Sequence, residues 1–217
     1  MKKYGSLLFL ILFLTVLGEL FAAIKPGVAF LVGGPSGAGK TTLVHMALQN
    51  PNIRHLLSPY VLYTTRPMRD GEINGVDYLF ISTEEFEDMV QQGKIFYTIK
   101  YDRHQYGYSV KLIDDLANGE SFIVIVGPSD ATRTLQGTLP HAVLIWVDVS
   151  DPEMLKRRLE IRYKNNPDAV KRRYDNVVLE REAERLENLF HYHILNDDGR
   201  CEEAFGELCQ IIHSSYF

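Results

Sequence analysis

Beyond a hydrophobic leader, short apolar runs alternate with longer amphipathic stretches. "VAFLV" (28–32) is continuous and apolar, the pattern of a buried strand, and glycines follow it. "KTTLVHMALQN" (40–50) is helical and stops at Asn50-Pro51. "YVLYTT" (60–65) reads as a strand. "RPMRDGEINGVDYLFI" (66–81) is turn-rich, with Asp70-Gly71 and Asn74-Gly75, and regains strand character from Tyr78. "STEEFEDMVQQGK" (82–94) predicts a helix capped by Ser82 or Thr83, with glutamates in its first turn and Gly93 at its end. "IFYTIKYDRHQYGYS" (95–109) predicts two short aromatic strands, followed by a helix over 109–118. "SFIVIV" (121–126) and "AVLIWVDV" (142–149) are unbroken β-branched runs, as parallel strands covered on both faces require. Asp151-Pro152 opens a helix to about Lys164, "NNPD" breaks it, and helix resumes over 168–190. "YHIL" (192–195) is a last strand and 200–213 a closing amphipathic helix. Strands alternating with helices predict an α/β fold of three layers, α/β/α, around a central parallel sheet.

Composition narrows the classes. Of 217 residues, 46% are apolar and 24% charged, enough for one domain with a proper core. A net charge of -5 argues against a general nucleic-acid binder. Basic residues still cluster in "KRRLEIRYK" (156–164) and "KRR" (171–173), a pattern that by itself reads as a solvated helix face. Cys201 and Cys209 fall in one predicted helix, about 12 Å apart along its axis, too far for a disulfide. The leader, residues 1–24, puts Lys2 and Lys3 ahead of an apolar run from Leu7 to Leu17. It admits three readings: a signal peptide, a membrane anchor over 7–24, or a start assigned too early. The fold is therefore expected in residues 25–217.

Behind the first strand, Gly34-Pro35-Ser36-Gly37-Ala38-Gly39-Lys40-Thr41 fits the pattern of a phosphate-binding loop. Its glycines let successive N–H groups face an anion, and Thr42 continues the run. Lys40 supplies charge to the β and γ oxygens. Thr41 offers a hydroxyl to Mg²⁺, and the helix from Lys40 points its positive end at the same place. Further on, Arg66 and Arg69 share a turn with Tyr78 downstream, a set of forks and a hydroxyl suited to phosphate oxygens. His191, His193 and Trp146 read as packing or surface residues. Asp148, at a strand end, reads as structural, with reach to a metal through water as the alternative.

"YTTRPMRDGEINGVDYLF" behind "GPSGAGK" resembles the guanylate kinase family. The resemblance spans residues 27 to about 213 and continues through "STEEFEDMVQQGKIF", "YGYS", "LKRRLEIR", "VKRR" and "ILNDDG". It implies ATP and Mg²⁺ as donor and cofactor, and GMP or another phosphate monoester as acceptor. It implies an acceptor-binding insertion of mixed strands over about 60–108 and a helical lid over about 156–175. Arg66, Arg69, Tyr78 and Tyr106 would hold the acceptor phosphate. Arg158, Arg162 and Arg173 would belong to the lid, closing with Lys40 on the transferring group, and Asn196 would lie near the donor base. Such chemistry needs positive charge and positioning, which gives the basic cluster a purpose.

The family's guanine-reading positions depart from its pattern. Leu62, Tyr97, Tyr108, Ile125 and Gly127 stand where the family carries serine, glutamate, serine and carboxylates. Asp102, Ser109, Ser129 and Asp130 are the polar groups nearby that could substitute. Phosphate-holding residues kept and base-reading residues lost leave three readings of function. They are a guanylate kinase-type phosphotransferase, a sugar-phosphate kinase resembling ribose 1,5-bisphosphate phosphokinase, and a non-catalytic module that binds a phosphorylated ligand. A triphosphate-using domain is expected to face a compartment that holds triphosphate: cytoplasmic, or anchored and facing the cytoplasm, with export by the leader the remaining alternative.

Overall fold

The computed structural model describes residues 25–216 except 102, 128, 140 and 165. The hydrophobic leader and Asp102 lie outside the described residues, as does the side chain of Ser129.

Five parallel strands form the central sheet. They are β1 (Ala29–Gly33), β2 (Ser58–Pro59), β7 (Phe122–Ile125), β8 (Ala142–Asp148) and β9 (Tyr192–Leu195), in the order β2-β7-β1-β8-β9. Every residue of β1 is buried, because β7 and β8 flank it and helices cover both faces. Alternation along the strands assigns side chains to two cores. Phe30, Val32, Ile123, Ile145, Val147 and Ile194 pack on one side against α1 (Lys40–Gln49), α5 (Pro152–Arg162), α6 (Pro167–Glu187) and α7 (Cys201–Ser214). Ala29, Leu31, Val124, Leu144 and Trp146 face the other side, toward α3 (Lys111–Ala117) and α4 (Ser129–Thr138). The three-layer α/β/α expectation holds.

A second sheet of four strands is mixed. It runs β4 (Leu79–Phe80), β3 (Tyr63–Thr64), β6 (His104–Ser109), β5 (Ile95–Tyr101), with β3 and β4 parallel and the other pairs antiparallel. α2 (Thr83–Gln91) precedes its β5–β6 hairpin, and a full capping box starts that helix: Ser82 Oγ accepts from Glu85 N–H and Glu85 answers to Ser82 N–H.

Two local expectations change. The run 60–65 is not one strand, because the chain leaves the central sheet at Pro59 and joins the second sheet at Tyr63. α4 falls in a Gly-, Ser- and Thr-rich stretch where the pattern predicts no element. Its buried face, Ala131 and Leu135, is continued at helical spacing by Leu139 just past its end, and the helix packs under β8.

Candidate active site

The phosphate loop crosses from the C-terminal end of β1 to α1. Gly34, Gly37 and Gly39 have φ of 134°, 93° and 92°, a region that disfavours side chains. Two of them are also crowded. A Cβ at Gly34 would lie 2.0 Å from Val147 O, and one at Gly39 would lie 2.2 Å from Asn196 Nδ2. Gly39 is the N-cap of α1 and offers no side-chain cap, and the first turn of α1 carries no acidic residue. Nothing in the helix itself therefore competes with a phosphate for its leading N–H groups.

Lys40 Nζ donates to Gly34 O at 2.5 Å and Pro35 O at 3.0 Å, folded back on its own loop. Burial lowers its pKa to about 8, against the attraction of Glu180, with Arg162 adding to the depression and Asp148 opposing it. Glu180 is itself pushed up by burial, against the pull of Lys40 and Arg173.

One cleft of about 460 Å³ joins these groups to the second sheet. Lys40, Thr41, Gly34 and Ser36 line it on the loop side, Arg66, Arg69, Tyr78 and Tyr106 on the side of the second sheet, and Arg162 and Arg173 reach it from α5 and α6. Arg66 is 7% exposed and forms a fork-to-fork pair with Glu72, at 3.0 and 2.8 Å. Its guanidinium lies 5.3 Å from the centre of the Tyr78 ring and 5.4 Å from that of Phe80. The Tyr78 and Tyr106 rings meet edge to face at 5.7 Å. Glu72 also accepts from Arg69 N–H at 2.8 Å. Burial works to raise the Glu72 carboxyl, and the hydrogen bonds from Arg66 and Arg69 outweigh it, leaving it below its ordinary value. At the junction of α5 and α6, Arg173 lies 5.2 Å over the Tyr163 ring and 5.9 Å over Tyr101, and Arg162 lies 5.6 Å over Tyr163.

Two expected site residues sit behind the loop instead of in the cleft. Asn196 is buried and donates from Nδ2 to Ala38 O at 2.8 Å. Arg158 donates to Gly37 O at 3.1 Å and Asn196 O at 2.9 Å, and pairs with Asp198 at 2.6 Å. Both grip the loop's carbonyl side. Asp148 is likewise engaged: Arg181 holds its Oδ2 at 2.9 Å and Val149 N–H binds its Oδ1 at 2.8 Å. His191 and His193 are bonded within the fold. His191 Nδ1 accepts from Leu144 N–H, and His193 Nε2 meets the buried Glu184 at 2.9 Å. Among the polar groups near the base-reading positions, Ser109 Oγ accepts from Lys111 N–H at 3.2 Å, and Asp130 pairs with Arg133 at 2.7 Å.

The sequence pattern alone passes over Glu72 and Glu180. Glu72 belongs to the same turn as both arginines, and that adjacency is its signal. Glu180 lies seven residues after Arg173 in α6, hence on the same helix face.

Comparison with known proteins adds a separate line. The family model described as guanylate kinase matches residues 28–215. The chain belongs to the guanylate kinase family. It is a phosphotransferase of the nucleoside monophosphate kinase type. A guanylate kinase of Rubrobacter xylanophilus is 34% identical over 190 residues, covering 87% of this chain and 95% of the relative. One from Neisseria gonorrhoeae is 32% identical over 193 residues, covering 89% and 90%. Among solved structures, guanylate kinase from Anaplasma phagocytophilum superposes with a TM-score of 0.68 at 24% identity, covering 88% of this chain and 86% of that one, and so shares the fold. These relatives lend no support to the sugar-phosphate kinase or the non-catalytic reading. Among the described residues no helix is long and apolar enough to cross a membrane.

Proposed function

We propose that the chain transfers the γ-phosphate of ATP to the phosphate of a nucleoside monophosphate, with GMP as the family's acceptor. The observation that carries this reading is the single cleft with Lys40 and Thr41 at one end and Arg66, Arg69, Tyr78 and Tyr106 at the other. Two phosphate seats facing each other across a cleft are what in-line phosphoryl transfer requires.

In this reading the N–H groups of Gly37 to Thr41 take the donor phosphates, and Thr42 extends that turn. Lys40 releases Gly34 O and Pro35 O and turns to the β and γ oxygens. Arg66 keeps Glu72 and uses its remaining N–H donors on the acceptor phosphate. Arg162 and Arg173 answer the charge that spreads over the transferring group, and closure of 156–175 excludes water. Arg158 and Asn196 keep the loop's carbonyls turned away from the anion.

The Thr41 hydroxyl, exposed in the cleft, is a hard oxygen donor suited to Mg²⁺. Among the described residues no cluster of three or more His, Cys, Asp or Glu could cage a metal, which fits an ion brought in with the nucleotide. Bound there, Mg²⁺ would neutralise charge on the β and γ oxygens.

The full chain, incubated with ATP, Mg²⁺ and GMP, is expected to form ADP and GDP in equal amounts. Hydrolysis of ATP without a phosphorylated acceptor, or no turnover with any nucleoside monophosphate, would overturn the proposal.

A further inference from the structure

One carboxylate stands among the cations of the cleft. Glu180 lines it together with Lys40, Arg162 and Arg173. Two other carboxylates that line the cleft are engaged. Glu72 serves Arg66 and the Arg69 N–H, and Asp77 accepts from Ile73 N–H at 2.8 Å. Among the described residues no hydrogen bond or ion pair holds the Glu180 carboxylate. Its charge attracts Lys40 and Arg173, while Arg162 repels Lys40.

The backbone under Glu180 is pinned. Val177, three residues before it, is fully buried in the core. Arg181, next to it, pairs with Asp148 at 2.9 Å and donates to Val149 O at 3.3 Å. Glu184, one turn on, is buried and accepts from the N–H groups of Leu189 and Phe190, each at 3.2 Å. Arg173 sits differently. It lies two turns earlier in α6, about 10.5 Å along the axis. Its surroundings are the Tyr163 ring at the end of α5 and the Tyr101 ring of β5.

A carboxylate that met the phosphates directly would repel them. Placed behind the cations it does the opposite. Lys40, Arg162 and Arg173 must crowd onto one transferring group, and their mutual repulsion works to drive them off its oxygens. A fixed negative charge offsets that repulsion and gives an acceptor to an N–H that the phosphate leaves unused. We propose that Glu180 is a positioning residue: it takes a guanidinium N–H of Arg173 as 156–175 closes, holds Lys40 by charge, and so sets both cations on the transferring group. Arg173 lies inside the closing segment and Glu180 outside it, so the carboxylate is the fixed point to which Arg173 comes. This inference rests on the phosphoryl transfer proposed above.

Steady-state rates of the full chain with ATP, Mg²⁺ and GMP test it. Glu180→Gln keeps the shape and removes the charge. It is expected to lower kcat by about 10–30-fold and to leave both KM values within about threefold. Glu180→Asp restores the charge on a shorter arm and is expected to recover part of that loss. Placed on Arg173→Ala, Glu180→Gln is expected to cost less than about threefold more, because the residue it aims is gone. Its urea midpoint should stay level or rise, since a carboxylate without a partner leaves the cleft. An unchanged kcat in Glu180→Gln overturns the inference. So does a lowered midpoint with kcat retained, which would make Glu180 structural, and so does a full second loss on Arg173→Ala. A wild type without turnover sinks the proposed function and this inference with it. A wild type that turns over while Glu180→Gln matches it sinks this inference alone.

Discussion

At the proposed donor end the loop backbone is the surface offered to the phosphates, and its neighbours fix it. Val147 leaves no room for a side chain at Gly34, Asn196 leaves none at Gly39, and Arg158 and Asn196 hold the carbonyls of Gly37 and Ala38. At the proposed acceptor end the groups are side chains: Arg66, Arg69 and Tyr78 in the connection between β3 and β4, and Tyr106 on β6. There the fixing is electrostatic: Glu72 holds Arg66 in a fork and caps the turn at Arg69. A backbone site tolerates little change of sequence in its loop. A side-chain site keeps its phosphate grip while the wall beside it changes, which is how Arg66 and Arg69 coexist with an apolar Leu62 and Ile125.

The sharpest break of this comparison separates the two ends by kinetics. Lys40→Ala is expected to lower kcat by about 10²–10³-fold or more while leaving the acceptor KM nearly unchanged. Arg66→Ala is expected to raise the acceptor KM by about 10–100-fold with the ATP KM held. Steady-state rates with each substrate varied in turn decide it. Equal shifts in both KM values for both variants would mean that the ends do not act separately.

Next in size is the brace behind the loop. Asn196→Ala strands the Ala38 carbonyl and is expected to cost about 1–2 kcal/mol in urea unfolding. It should also raise the ATP KM and spare the acceptor KM. A stability loss with both KM values untouched would reduce Asn196 to a packing residue. The counterpart at the other end is Glu72→Gln, which keeps the shape and loses the charge. A misaimed Arg66 should raise the acceptor KM by about three- to tenfold, with ATP unaffected. A tighter acceptor would instead mark Glu72 as a competitor of the phosphate.

The same contrast explains what the sequence made legible. The loop is contiguous, so one stretch from Gly34 to Thr41 announces a donor seat, and the buried strands "VAFLV" and "AVLIWVDV" announce the sheet around it. The proposed acceptor seat is assembled from the connection between β3 and β4 and from β6, and only topology brings Tyr106 beside Tyr78. Arg66 was legible as a phosphate fork, but its partner Glu72 was not, because a turn glutamate has no periodicity to betray it. α4 was missed because Ser, Thr and Gly between Ala131 and Leu139 hide a face only three apolar residues deep.

The smallest expected effect concerns one proton at the donor end. Lys40 holds a pKa of about 8 in the free protein, below its ordinary 10.5, because burial outweighs the nearby Glu180. The unfolded chain therefore binds more protons than the folded one between about pH 8 and the ordinary lysine value. The cost of the buried charge is present in full below pH 8 and fades as pH rises through that window, so the wild type gains stability there relative to Lys40→Met. A triphosphate reverses the balance, since its charge favours the ammonium form and lifts the pKa. At pH 8 about half of the free molecules carry a neutral Lys40, so ATP binding should take up as much as about half a proton per site, and almost none near pH 6.5. Calorimetry in buffers of different ionisation enthalpy reads this uptake, and Lys40→Arg, always charged, should abolish it. Arg66 keeps its charge throughout, so acceptor binding should show no Lys40-dependent uptake at pH 8. Equal uptake by both substrates would place Lys40 at the junction of the two seats, under the transferring phosphate, and not at the donor end alone.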